Sequence, residues 1–470
     1  MKKFVTIFLP LAAAAAFGFA PLKQQRPPRG RGATREVTQG ELLRFGLPAL
    51  ALWVSGPLLT LIDTSAVGIT SKDSALDIAA LGPATSLCDA AGYVFAFLNV
   101  AATNLLASST TREERLNVAA RGLALAAWCG LATTLLLRVF GRWALAVFVG
   151  ADASVIEKAA SYVDARALGM SFLLASNVLT ACLLGAKNSI APLRAQFASA
   201  SANVIGDYVA VAVLGRGVRG AAEATFGAQI VSALVLARAA RKTLGKDFIL
   251  WRTAPAGYAA FAAPVLVLVI SKIASFGAMT HAASALGRVP LAAHQLSFTF
   301  YLLASLVMEA LAAQTAQAFL PPLKGTPACK DVSSAIFNFA AIASVFVSAA
   351  CFAFASFAAP LFSSDPAIAA TLSTLAAPLS ISVLLHAAVA HGEGVMIALG
   401  DLKAVGAAYA LSALVFPPIA LAASHRILFP NLLPDGAAIW RFFALFQLAR
   451  AITFQFRAAT LLLNDDNNPR

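Results

Sequence analysis

Seven ionisable side chains stand inside or beside apolar stretches of this 470-residue chain: Asp63, Asp89, Asp207, Glu223, Lys272, Glu309 and Glu393. An ionised group at the centre of a membrane span costs about 2.5 to 3.5 kcal/mol on the insertion scale, so each asks for a cavity, a partner or a function. Asn203 and Asp207 are four residues apart and stack on one helix face, where a carboxylate beside an amide can hold a proton or a small cation. A structural hydrogen bond explains the same spacing, but such a bond does not need a group that titrates. Asp63 follows Pro48 and Pro57 in its run, and each proline removes a backbone hydrogen bond and permits bending. Asp89, Glu309 and Glu393 are candidates for lining a cavity; Asp89 and Glu309 can pair with Lys272 or Arg166 or sit by water, and the two cations can also meet substrate. Glu223, in VRGAAEATF, reads as a solvated carboxylate at a membrane edge, and Thr225 beside it can donate to Asp207.

His386, His391 and Glu393 form the densest ligand-like group. Residues five apart on a helix are rotated by roughly 140°, so the two imidazoles diverge and no second pair completes a metal site. The glycines Gly392 and Gly394 lack a preceding strand and fit close helix packing better than nucleotide binding. No G-x-x-x-x-G-K-[ST] segment occurs, so any pumping must draw on an ion gradient. Acid-rich metal motifs and a catalytic histidine in a polar loop are also missing, which argues against a membrane-embedded enzyme. The five cysteines are widely spaced, mostly in apolar runs, and read as small buried hydrophobes.

The elements that must hold these groups are membrane helices. With 59% of residues apolar and 12% charged, an ordinary soluble domain is excluded. Apolar runs at about 44–69, 84–108, 117–140, 160–184, 191–214 and 221–240 give six spans, and runs at about 256–280, 289–318, 333–360, 368–399, 404–424 and 437–463 give six more. The expected fold is therefore an all-α integral membrane protein of twelve transmembrane helices, with a first lobe at 41–245 and a second at 246–470. The net charge of +13 sits in short segments between spans, with no basic stripe interleaved with aromatics, so it orients a membrane protein rather than binding nucleic acid. TREER, Lys187 to Arg194, the 238–252 connector, Lys324, Lys330 and Lys403 fall on the side of the N-terminus, which is then the cytosolic or stromal side. Pro48 and Pro264 are 216 residues apart, Gly185 and Gly400 are 215 apart, and IAAL at 78 echoes LAAH at 291. Two fused six-span repeats with a site between them are a transporter arrangement.

Residues 1–40 read as a targeting presequence. Lys2 and Lys3 precede an apolar run to Ala20 with small residues at its end, the layout of a secretory signal, with a first membrane anchor as the other reading. PLKQQRPPRGRGATR then supplies Arg, Pro and Gly without an acid, as in a transit peptide. AAFGFAP at 15–21 resembles the Phe-containing junction of bipartite plastid presequences, which makes a plastid membrane the expected location and a plasma or endomembrane the alternative.

Longer motifs resemble the multidrug and toxic compound extrusion family, MATE, over nearly the whole chain after the presequence. LLTLIDTSAVG followed by LDIAALGPATS, YVDARALG leading to LLGAKNSIAPLR, and above all ANVIGDYVAVAVLGRGVRGAAEAT at 202–225 are similar to family signatures. LAAHQLSFTFYLLASLVMEALAAQTAQAFL and EGVMIALGDLKAV look like the DinF-type and plastid-associated branch. The resemblance implies a V-shaped pair of pseudo-symmetric six-helix lobes around a central cavity, a monomer in membrane lipid, and proton- or sodium-driven antiport of small organic molecules without a further cofactor. It implies a first-lobe ion-coupling cluster of Asp63, Asn203, Asp207, Thr225 and Tyr162, with Pro48 at the bending helix. Glu393 matches a tenth-span acid that some members use. Two departures from the pattern stand out: Glu223 replaces an apolar residue, and the seventh span lacks the acid used by some eukaryotic members and carries Lys272 elsewhere instead.

On this reading an acid at Asp207 or Asp63, desolvated in its lobe, takes up the coupling ion, the first span bends and the cavity shrinks. Each transported charge then couples to about 2.3 kcal/mol per 100 mV. A lipid-linked flippase of the same superfamily and an organic-anion exporter of the plastid envelope are the alternatives within transport.

Overall fold

The computed structural model describes residues 40–52, 74–149, 153–245, 257–357, 366–425 and 431–467. Asp63, Pro57, residues 1–39 and the 246–252 part of the basic connector lie outside them. Every regular element described is helical. In chain order these are α1 at 40–52, α2 Ser74–Tyr93, α3 Ala96–Ser108, α4 Arg112–Val149, α5 Ala153–Ala167, α6 Met170–Gly185, α7 Ile190–Asp207 and α8 Gly217–Thr243 in the first half. The second half has α9 Tyr258–Ala285, α10 Arg288–Met308, α11 Thr315–Phe319, α12 Pro327–Phe357, α13 Pro366–Ala398, α14 Leu402–Ser424 and α15 Gly436–Asn467.

Among the described residues nine helical stretches are long and apolar enough to cross a membrane, from Ala80–Ser108 to Gly436–Leu463. A helix of twenty residues spans the hydrocarbon because backbone groups in lipid must bond within their own segment. The fourth span differs from the sequence expectation of one continuous helix at 160–184: α5 and α6 meet at a 53° bend. Gly169 sits in that bend against Gln229 of α8, where any Cβ would collide with the amide side chain. With this bent pair counted as one, the described residues hold ten such stretches, four before residues 246–256 and six after, and α1 and α7 are further helices of the first half.

The helices of each half pack chiefly on one another, α7 on α8 and α4 on α6 in the first, α13 on α12, α10 and α15 in the second. Apolar faces of α4, α12 and α14 bearing Trp128, Leu135, Phe346 and Leu414 are exposed, as surfaces facing lipid tails must be. The two lobes touch at one end, through α3 against α9 and α11 and through α6 against α11. There Asn104 Nδ2 donates to Ile397 O at 2.9 Å, Gln314 Nε2 to Thr103 Oγ1 at 3.3 Å, and Lys187 Nζ lies 4.4 Å from the Phe319 ring centre. This is the end that carries Arg112, Lys187, Lys242, Lys324 and Lys403. The lobes therefore close on the basic side, the one retained by the positive-inside rule.

The internal repeat appears in backbone detail, with a shifted register. At the end of α6, Lys187 N–H bonds to Leu184 O and Asn188 N–H to Leu183 O; at the end of α13, Gly400 N–H bonds to Ile397 O and Asp401 N–H to Met396 O. Both are Schellman caps whose left-handed residue is Lys187 (φ 61°) or Gly400 (φ 85°). The equivalent positions are thus Lys187 and Gly400, 213 residues apart, and not the glycines Gly185 and Gly400. Gly185 is kept small for another reason: a Cβ there would sit 2.5 Å from Thr103 O of α3.

Candidate functional site

In the first lobe α7 begins beside Asn188, whose Oδ1 accepts from Ala191 N at 3.1 Å. Four turns on, Asn203 and Asp207 occupy one face and are both buried, and Asn203 Nδ2 donates to Asp207 Oδ2 at 3.1 Å. Gly206 lets α8 approach, since a Cβ there would lie 2.8 Å from Ala224 Cβ. Immediately after Asp207 the helix widens into a π turn, Tyr208–Val213, closed by Leu214 N–H bonding to Val209 O at 2.9 Å. Such π turns are rare insertions that concentrate at functional sites because they re-aim the side chains around them. Thr225 does not donate to Asp207, contrary to the sequence expectation; its hydroxyl bonds back to Ala221 O at 3.0 Å, the usual resting place of a threonine within a helix. Tyr162 is buried on α5, and its hydroxyl accepts from Arg166 Nη1 at 2.8 Å while Arg166 Nη2 reaches Asp89 Oδ1 at 2.6 Å. Asp89 is thus the partner of Arg166, at the α2–α5 contact, with its carboxylate 58% exposed. Glu223 pairs with Arg216 and Arg219 at a solvated helix end, as its position suggested. Pro48 is buried within the helical stretch 40–52.

The second lobe holds a larger polar assembly. Lys272 of α9 donates to Glu309 Oε1 at 3.0 Å and lies 3.7 Å from Glu393 Oε2 of α13. Glu309 itself opens the second π turn of the protein, Glu309–Gln314, between α10 and α11. Tyr409 of α14 donates to Glu393 and accepts from Arg450 Nη2 of α15 at 2.6 Å. Arg450 Nη1 bonds to Gln447 Oε1 at 2.9 Å, and Gln447 Nε2 donates to the Tyr301 hydroxyl at 2.7 Å, with His386 Nδ1 at 3.2 Å. Two carboxylates and two cations therefore neutralise each other across five spans, the condition under which charges persist in low dielectric. Tyr93 of α2 stands within electrostatic reach of Lys272, Glu309 and Glu393 and brings the first lobe to this group.

Sequence reasoning had Lys272, Glu309 and Glu393 but not Arg450, Tyr409, Gln447 or Tyr301. Arg450 carried a signal, the middle one of three arginines in the apolar run 437–463; the tyrosines carried none. The His386, His391 and Glu393 trio is dispersed. His386 faces Tyr301 and Gln447, His391 bonds to Ser333 and Gln455, and Glu393 turns to Tyr409 and Lys272. The glycines between them pack helices: a Cβ on Gly392 would lie 2.8 Å from Phe454 C, and one on Gly394 2.6 Å from Ala313 Cα.

Two packed halves that meet at their basic end, with buried carboxylates in each, define a multi-pass membrane protein. The MatE family model matches residues 49–209. Protein DETOXIFICATION 47, chloroplastic, of Arabidopsis thaliana is 36% identical over 295 residues, covering 60% of this chain and 53% of the relative. The chain thus matches about half the length of that curated relative. A crystal structure of MATE in the straight conformation superposes with a TM-score of 0.77 at 17% identity, covering 91% of this chain and 97% of that one. An outward-facing multidrug resistance MATE family transporter of the MOP superfamily gives 0.76 at 17% identity, covering 94% and 100%. The chain is thus similar to the MatE family over residues 49–209 and shares the fold of the solved MATE structures.

Proposed function

We propose that this chain is a secondary active transporter of a plastid membrane that exports small organic molecules in exchange for a proton or a sodium ion, with the first-lobe acid at Asp207 carrying the ion. The observation that supports it best is the placement of Asp207: a buried carboxylate, bridged to Asn203 on the same helix face, at the point where α7 passes into a π turn. A titratable group in a lobe is held there for the charge it can lose or gain, and the π turn beside it is of the kind frequent at functional sites. Asn203 orients the carboxylate, Asp63 and Tyr162 belong to the same cluster by family resemblance, and Pro48 gives the first helix its bending point. Ion uptake favours one arrangement of the first lobe and substrate the other, so each drives out its competitor. The relative's chloroplast location and the transit-like presequence support the plastid membrane.

Substrate then meets the second-lobe group at Lys272 and Glu309, which Tyr93 of the first lobe approaches. The side chain of Lys272 is 17% exposed and that of Glu309 26%, so both signs of charge are offered to it. The ammonium supports a second reading, export of an organic anion, against the first, export of an organic cation. The test is efflux of a cationic dye from a pump-deficient bacterial strain expressing the full chain. Export that collapses with an uncoupler and is lost in Asp207→Asn is the expected result. Uncoupler-insensitive export, or an Asp207→Asn variant that exports at the normal rate, would overturn the coupling assignment. Failure to export any cation while organic anions are carried would shift the substrate class.

A further inference from the structure

Glu309 and Glu393 leave two different helices of the second lobe and converge on one atom, Lys272 Nζ, at 3.0 and 3.7 Å. The titratable and charged groups around that nitrogen are Tyr93, Glu309, His386, Glu393, Tyr409 and Arg450. Arg450 reaches Glu393 only through the Tyr409 hydroxyl, so the direct countercharge between the two carboxylates is the lysine. An ammonium has three donors, no acceptor and a single positive charge, which makes it a chemical substitute for a bound monovalent cation. A void of about 10 Å³ beside Lys272 is lined by Ser271, Ser275, Tyr409, Ser412 and Arg450 together with Phe276, Phe443 and Phe446. Hard cations take oxygen ligands.

We infer that Lys272 is a tethered cation: its ammonium fills the place between Glu309 and Glu393 where a mobile ion would otherwise sit, and the second lobe of this chain binds no coupling ion of its own. Coupling then falls to the first lobe alone, a conclusion that rests on the transport reading, whereas occupancy of the dicarboxylate by the lysine does not. Two carboxylates this close cannot both stay ionised in low dielectric without a cation between them. Removing the ammonium therefore creates a vacant site that a proton or a sodium ion fills.

The experiment uses the purified full chain and needs no transport. Thermal unfolding midpoints are measured at about 0.15 M sodium against choline chloride at fixed pH, and in choline between about pH 5 and 8, for wild type, Lys272→Met and the double variant Lys272→Met/Glu309→Gln. Lys272→Met is expected to gain a sodium- or acid-dependent rise of about 2 °C or more that wild type lacks, the salt and pH series telling the two ions apart. The double variant, with its charge balance restored, is expected to lose that gain. An ion response of Lys272→Met identical to that of wild type overturns the proposal. Should Lys272→Met give no folded protein, Asp207→Asn decides on an otherwise intact second lobe. The absence of any remaining ion response supports the tethered cation, and a remaining response that Glu393→Gln abolishes overturns it. If the ion responses come out as expected but no substrate is ever exported, the lysine assignment stands and the transport reading fails.

Discussion

The two lobes solve the problem of a buried carboxylate in different ways. In the first, Asp207 is bridged by the neutral amide of Asn203 on its own helix, four residues away, just ahead of a π turn. In the second, Glu309 also stands at a π turn, but it shares Lys272 with Glu393, and a chain of Tyr409, Arg450, Gln447 and Tyr301 fixes that set across five spans. On the proposed reading the Asn203 amide orients the Asp207 carboxylate, which binds and releases the ion. A full complement of cations cancels the charge, and what remains is a rigid polar wall. On the proposed reading, then, one architecture carries a site that turns over an ion and a site that holds shape.

The contrast is broken most severely at its first term. Asp207→Asn should bring gradient-driven export to background, while Asn203→Ala, which removes one hydrogen bond to a charged group, should cost about 1.5 to 3 kcal/mol of ion affinity, roughly tenfold or more, without abolishing it. Equal loss from both would mean that the amide, and not the acid, carries the ion. Arg450→Met tests the second lobe: it leaves the two carboxylates with one cation, and breaking a buried pair of this kind costs about 3 to 5 kcal/mol in denaturant unfolding. Adding Glu393→Gln should recover much of that, because the remaining charges balance again. Gly394→Ala is smaller and purely steric. The new Cβ would press on Ala313 Cα beside the second π turn, and about 1 to 3 kcal/mol of stability should go. The least effect belongs to Asp89→Asn, whose carboxylate is largely solvated in its pair with Arg166, so unfolding should move by less than about 1 kcal/mol.

Much of this was written in the order of residues. Most of the apolar runs within the described residues located their helices to within a few residues, though the third stopped well short of Val149 and most of the first lies outside the described residues, and four-residue spacing alone joined Asn203 to Asp207. Pairings across helices were not legible: Lys272 and Glu309 are 37 residues apart, and nothing local says which way α9 and α10 are rotated against each other. Thr225 shows the same limit from the other side, since its nearness to Asp207 in sequence order could not say that its hydroxyl prefers the Ala221 carbonyl of its own helix. The bend at Gly169 and the π turns were hidden because both depend on what packs against them, Gln229 in the first case and neighbouring helices in the second. The repeat was visible as matched residues, but its register lay in the backbone caps, where Lys187 takes the left-handed place that Gly400 holds in the other half.

The central claim is that ion coupling resides in the first lobe. It is tested most directly by measuring proton and sodium flux on addition of transported substrate in proteoliposomes, with Asp207→Asn and Glu393→Gln side by side and equal amounts of folded protein. The account predicts no substrate-linked ion flux with Asp207→Asn and a retained flux with Glu393→Gln, whatever its affinity for substrate. Retained flux with Asp207→Asn together with its loss in Glu393→Gln would contradict it.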